Sequence, residues 1–538
     1  MPASDNIEIV ADQLFSHIVE CFPVMCGSDE FHFLPRLQHN DNSFAAVDNL
    51  DTNQIKDTVS ELQTIYRKLE SINTEGVLER TIDCELLKIC ISGILIELEE
   101  KKSWRYNPLL YLKTAFIGLE QAIRELPVKK RNTSERVKNR LHAIPKLLKQ
   151  AEINIRSVPE TFHNASLSMI QDCHNYVGIL KDLKLYDEFE AHLSKVDEAL
   201  VSLRSHLVTS VKLGPDYRFN YPSLEITMKQ HFQTRNDLKD VFEIGLEESE
   251  EARRALVEIT REIGTADSWM ELYNSYTPID PESVDVVAMY RQETLSLQEF
   301  FQKREFDWVD TSFQLDLVET PAFLNSIRGS ASFSASISHR VDNRDLFYIT
   351  TNKAADSHTT VRLHREYKFL SAHEAFPGHY LLDCVRRSLK NPVRCAIESP
   401  LFYEGWAYYA ESLLEEDGYI KTPIERLIHN KRTLWRAARC MIDSGLPTGC
   451  IDREKAEKLM EEIGYPRDEA AQLVSRFQLN PGYHLCYTLG KNEILNLRGR
   501  YGTLLGREEF HRILLEGGEL PFHLIERRYK ACTGGENS

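Results

Sequence analysis

Apolar residues recur at three- and four-residue intervals through most of the first 320 residues, and that period restricts the fold more than any other feature. Leu109, Leu112, Ala115, Phe116, Leu119, Ala122 and Ile123 form one broad stripe, the mark of a helix with a face in a core. Asn107-Pro108 just ahead of it is a helix start signal. Leu62, Ile65, Tyr66 and Leu69 repeat the pattern, as do Leu141, Ile144, Leu147, Leu148 and Ala151 around a helix-kinking Pro145. The charged stretch from Glu247 to Ile263 reads as a surface helix. Only 24 Gly and 20 Pro interrupt 538 residues, so long elements dominate. A large all-β chain, a collagen-like chain and a disordered chain are disfavoured.

The texture changes near Thr320-Pro321. Ala331 to Ser338 reads ASFSASIS and Asp345 to Thr351 reads DLFYITT, with a turn at Asp342-Asn343. The alternation and the β-branched and aromatic residues predict two short antiparallel strands. Helical patterning resumes at Leu363. The expected organisation is therefore a helical part over 1–320, a second part over 321–532 that carries the chemistry described below, and a frayed tail over 533–538.

The net charge is −17, from 82 acidic and 65 basic residues. That balance opposes nucleic acid and anionic lipid as partners. Lys129, Lys130 and Arg131, the compact basic cluster, read as a solvated turn. Eleven cysteines without a CxxC pair fit scattered reduced thiols. The N-terminal MPASDNIEIVADQLF has no signal-peptide pattern, and the apolar run Ile89–Ile96 is too short to span a bilayer. The expectation is a soluble cytoplasmic protein with neither nucleic-acid nor membrane partners.

The segment from Ser371 reads SAHEAFPGHYLLD and holds His373, Glu374 and His379. A His-Glu pair followed by a second His is the core of zinc hydrolase sites. Two neutral imidazoles hold Zn²⁺ and leave positions open. The adjacent Glu takes a proton from a water that the metal has made acidic. Yet the two His are at i and i+6, about 120° apart and about 9 Å along a regular helix, against about 40° in HExxH. Pro377 and Gly378 fall between them, and a local bulge there would return His379 to the metal. His358 and His364 are competing ligands upstream, but neither pairs with a Glu at useful spacing.

A third ligand is needed, and SPLFYEGWAYYAE offers Glu404, 25 residues after His379, which an antiparallel helix would bring beside the two His. Glu411, two turns further on the same face, and Asp383, four residues after His379, are candidates to orient the ligands. The competing reading is a satisfied, partly buried His beside a chance Glu. Downstream, NPGYHLCYTLGKNEILNLR places Tyr483, Tyr487, Lys491, Ile494 and Arg498 on one helical face. A Tyr hydroxyl can donate to an oxyanion, and Lys or Arg can hold a substrate carboxylate. The alternative is a surface stripe of snorkelling side chains.

His-Glu-Ala-Phe-Pro-Gly-His at 373–379, Glu-Gly-Trp-Ala at 404–407 and Asn-Pro-Gly…Tyr-Thr-Leu-Gly-Lys…Leu-Arg at 480–498 resemble the domain-of-unknown-function 885 family. So do Phe510-His511, Gly518-Glu-Leu-Pro521 and the helical stretches around Asn107-Pro108 and Arg140-Leu141, so the resemblance spans nearly the whole chain. It implies a mainly α, gluzincin-like catalytic unit. Helices would wall a deep cleft, residues 1–320 would form one wall, and a small antiparallel sheet would lie at its edge. By position it implies His373, His379 and Glu404 as zinc ligands, Glu374 as general base and Tyr487 as transition-state donor. The chain departs from the family at Tyr483, where Gln is commoner, and at Tyr380, where many members have a second His.

The function expected is a zinc-dependent metallohydrolase, a carboxypeptidase or oligopeptidase acting on short peptides or small amides. Tyr483, Lys491 and Arg498 would bind substrate, and the strand around Phe333–Ile337 or Phe347–Thr351 would pair with its backbone. The alternatives are a zinc hydrolase of a specialised amide or ester, and a non-catalytic helical binding protein.

Overall fold

The structure, a computed structural model, describes residues 6–37, 46–124, 133–214, 221–278, 285–324, 331–335, 344–351 and 362–534. It is mainly helical with two small sheets. Two compact units divide it. One comprises Met1–Phe219 with Thr320–Arg328, the other Asn220–Glu319 with Gly329–Ser538. The sequence reading placed the whole of 1–320 together, and residues 220–319 instead join the C-terminal unit. Packing gives the reason. Helix Leu238–Ile263 starts at an Asp237 N-cap that shares a capping box with Asp240 and stops at Gly264. It buries Leu238, Val241, Gly245, Ser249, Ala252, Leu256 and Ile259, and it meets helix Pro423–Thr448 with Gly245 against Ala437 and Gly445 against Phe242. The stretch read as a surface helix is thus half core.

The first unit follows the periodicity. Helix Pro108–Arg124 buries its apolar stripe from Leu109 to Ala122, with Ile123 half-buried at its end, and helix Thr133–Asn154 runs on through Pro145 with Leu141, Ile144, Leu147, Leu148 and Ala151 buried. The chain returns to this unit at Phe323, whose ring lies 5.9 Å from Phe116 and 5.1 Å from Tyr176. The basic cluster at 129–131 falls outside the described residues, as do 336–343 with the Asp342-Asn343 turn and 535–538 of the tail.

In the second unit strands Ala331–Ser334 and Asp345–Ile349 pair antiparallel, Phe333 opposite Phe347, as the alternation predicts. A third strand, Leu315–Glu319, runs parallel to Asp345–Ile349 on its other side. The Asp345–Ile349 strand is therefore central, with Phe347, Tyr348 and Ile349 all buried. Both of its edges are occupied, so it is not the strand that could receive a peptide. Among the described strands Ala331–Ser334 is the edge nearest the His-Glu segment.

Candidate metal centre

The His-Glu segment solves its spacing by breaking. Helix Tyr367–Glu374 ends at Glu374, and a new helix, His379–Ser388, begins at His379. The expected bulge within one helix is not what forms. Pro377 has no N–H to continue the ladder, and Gly378 packs so close to the first helix that a Cβ there would sit 2.0 Å from the His373 carbonyl and 2.4 Å from that of Ala372. The two imidazoles consequently meet at a helix C-terminus and a helix N-terminus, their centroids 4.8 Å apart.

Glu404 comes from helix Pro400–Glu416, which starts at Ser399 as N-cap with Pro400 in the first turn. The indole N–H of Trp406 donates to the Pro377 carbonyl at 3.0 Å and ties this helix to the break. On its other side Gly405 crosses Gly490 of helix Leu485–Leu505. A Cβ on Gly405 would lie 2.6 Å from the Gly490 backbone, and one on Gly490 would lie 2.1 Å from the Leu401 carbonyl. Only glycine permits main chains to approach so closely.

Glu404 Oε2 thereby reaches 3.2 Å from His373 Nε2 and 3.6 Å from His379 Nε2. The three ligand atoms lie within 4.8 Å of one another, all buried, and among the described residues this is the one such group of three His, Cys, Asp or Glu. Glu404 Oε2 accepts no hydrogen bond despite its burial. Its other oxygen, Oε1, accepts from the hydroxyls of Tyr483 and, at 2.9 Å, Tyr487. Two imidazoles and a carboxylate oxygen converging on a point without a donor suit a zinc ion. Burial works against ionised Glu404, but the two imidazoles outweigh it and hold the carboxyl well below its usual range.

Behind the ligands, Glu411 Oε1 lies 3.0 Å from His373 Nδ1, fixing the ring so that Nε2 faces the cluster. Arg432 holds Glu411 through Nε and Nη2 at 3.0 and 2.9 Å, and Arg436 holds it through Nη1 at 3.0 Å. Glu404 and Glu411 outweigh burial and draw positive charge to the His373 ring, an electrostatic setting that equally favours a cation at the cluster. His379 has no such support. Its Nδ1 is buried without a partner, and its ring is held by stacking on Tyr403, 3.9 Å between centroids at 12°. Asp383, expected to orient a ligand, pairs with Arg386.

Glu374 follows His373 at the helix end, and its Oε2 accepts from the Phe333 N–H at 2.9 Å. The side of strand Ala331–Ser334 that faces away from Asp345–Ile349 is therefore turned to this carboxylate at Phe333. Lys491 and Arg498 are not free cations. Lys491 Nζ sits 3.0 Å from Glu248, an acid supplied by the helix once read as surface, and Arg498 binds Glu416 with two nitrogens at 2.8 and 3.1 Å. Both charges are already met. His364 is buried outside the cluster, and His358 falls outside the described residues. The sequence reading missed the arginines of helix Pro423–Thr448. Arg432, Arg436 and Arg439 recur at i, i+4 and i+7 among buried Leu434, Ala437 and Ala438, a signal of inward-facing charge.

The fold and cluster define a mainly helical protein with a buried His-His-Glu centre. The chain belongs to the DUF885 family, "Bacterial protein of unknown function", whose model matches residues 40–528. It is similar in structure to a candidate lipoprotein from Colwellia psychrerythraea, at 15% identity and TM-score 0.78 over 98% of this chain and 99% of that one. It is also similar to a candidate lipoprotein of unknown function from Shewanella oneidensis, at 20% identity and TM-score 0.74 over 97% and 99%. No curated protein matches the chain. No helix among the described residues is long and apolar enough to cross a membrane.

Proposed function

We propose that the chain is a zinc-dependent metallohydrolase of gluzincin-like design, a peptidase acting on short peptides or small amides. The observation that carries this reading is the convergence of His373 Nε2, His379 Nε2 and Glu404 Oε2 on one point that lacks a donor, with Glu374 next in sequence to a ligand. A zinc ion held there would polarise the scissile carbonyl and acidify water. Glu374 takes the proton from the attacking water and delivers it to the leaving amine. The Phe333 N–H holds the Glu374 carboxylate in place. Burial keeps the Tyr487 phenol protonated by raising its pKa. Its hydroxyl, now on Glu404, is a donor that can be handed to the developing oxyanion.

The test is metal analysis and peptide-library digestion of wild type and Glu374→Gln. One zinc per chain is expected in both, with cleavage reduced about 10²–10⁴-fold in the variant. Wild type free of tightly bound zinc would overturn the reading. Cytoplasmic placement is a proposal of the same kind. Membrane association in cell fractionation, in line with the lipoprotein description of both similar structures, would refute it.

A further inference from the structure

Helix Pro423–Thr448 carries five Lys or Arg residues. Four have carboxylate partners within the second unit: Arg426 with Glu262, Lys431 with Glu366, Arg432 with Glu366 and Glu411, and Arg436 with Glu411. Arg439 is the exception. Among the described residues it makes no ion pair, although only 7% of its surface is exposed. Its guanidinium carbon lies 4.6 Å from the ring centre of Tyr487 and 4.3 Å from that of Trp435. Nη2 meets His484 Nδ1 at 2.5 Å, and Nε is buried without a partner. Desolvation and the Arg439 charge both push His484 toward its neutral form, so it accepts from the guanidinium and cannot neutralise it.

The anions that act on it, Glu404 and Asp443, do so without an ion-pair contact, and a guanidinium sequestered from water without a bonded carboxylate is costly. The site's geometry offers a use for it. Tyr487, on whose ring Arg439 lies, reaches Glu404 Oε1 at 2.9 Å, so the cation stands one aromatic ring from the cluster. A substrate with its terminal carboxylate on Arg439 would extend past the Tyr487 ring toward the cluster. Arginine also matches a carboxylate with two parallel donors.

We propose that Arg439 binds the free α-carboxylate of the substrate, which makes the substrate class peptides or acyl amino acids cut at their C-terminal bond. The choice of bond rests on the hydrolase reading, whereas carboxylate binding does not. The experiment therefore reads binding to metal-free full-length protein. An N-acetyl-dipeptide library with free carboxylates and the same library as C-terminal amides are each equilibrated with the protein, and retained peptides are counted by mass spectrometry. Free acids should be retained about ten-fold or more over amides by wild type. The ratio should fall to near one in Arg439→Ala and be partly restored in Arg439→Lys, with folding of each variant checked by circular dichroism. If Arg439→Ala misfolds, Arg439→Gln takes its place. Equal retention by wild type, retention of neither library, or an unchanged ratio in the variants would overturn the proposal. Zinc content of wild type, measured separately, reports on the hydrolase reading alone.

Discussion

Two of the buried histidine-carboxylate constellations among the described residues of the second unit are finished differently. His511 gives one ring nitrogen to Glu305 and the other, at 2.8 Å, to the Tyr409 hydroxyl, with Phe306 stacked on its ring. Both nitrogens are satisfied by protein, and Arg507 completes the charge on Glu305. His373 and His379 instead turn Nε2 toward a carboxylate oxygen that receives no hydrogen bond. Burial is the same in both places. What separates a packing histidine from a candidate ligand is whether its polar atoms find partners within the chain.

The largest effect that would break this contrast concerns the ligands. His379→Ala should lower zinc affinity by more than the ~100-fold that loss of a supporting hydrogen bond costs, as read by competition with a chromophoric chelator. Unchanged zinc binding would place the two constellations in one class. His511→Ala should do the opposite. It strands the Glu305 and Tyr409 groups and leaves a cavity, so unfolding should cost about 3 kcal/mol less while zinc stoichiometry stays at one per chain. Loss of metal in that variant would erase the distinction.

A smaller effect concerns Asp443, a buried acid satisfied by the backbone N–H groups of Gly482 and Leu485 at 3.0 and 3.1 Å, just where the chain leads into Tyr483 and Tyr487. Burial raises its pKa to about 6, above the ordinary value of about 3.9. Between those values the folded protein keeps a proton the unfolded chain has lost. The stabilisation is therefore full below about pH 4 and lost as pH rises through 6. In Asp443→Asn that loss disappears, so the variant should gain on wild type by about 1–3 kcal/mol between pH 4 and 7.5. Parallel melting temperatures across that range would refute the assignment.

What the sequence revealed follows from what is local. His373, His379, Glu404 and Glu411 were legible because each is fixed by spacing within one or two adjoining helices, and the Pro377-Gly378 pair signalled that a regular helix would not serve. The form of the break was not legible, since a bulge and a full stop answer the same spacing. The acids that pair with Lys491 and Arg498 were not legible: Glu248 lies over 200 residues upstream, and Glu416 looks like any exposed helix end. The strand Leu315–Glu319 escaped notice because LDLVE sets two acids among three apolar residues and lacks the aromatic residues that mark DLFYI. Tyr483 and Tyr487 were placed on the right face, but their shared acceptor, Glu404 Oε1, depends on a helix crossing that no periodicity encodes.

That crossing, Gly405 against Gly490, acts as a datum surface. The distance from the Glu404 carboxylate to the two phenols is set by main chain resting on main chain, a dimension that side-chain rotation cannot absorb. A methyl group at either position would act as a shim between the ligand-bearing helix and the tyrosine-bearing one. Two residues without a reactive atom should therefore prove as intolerant of change as the ligands themselves, and selection would guard them for their thinness.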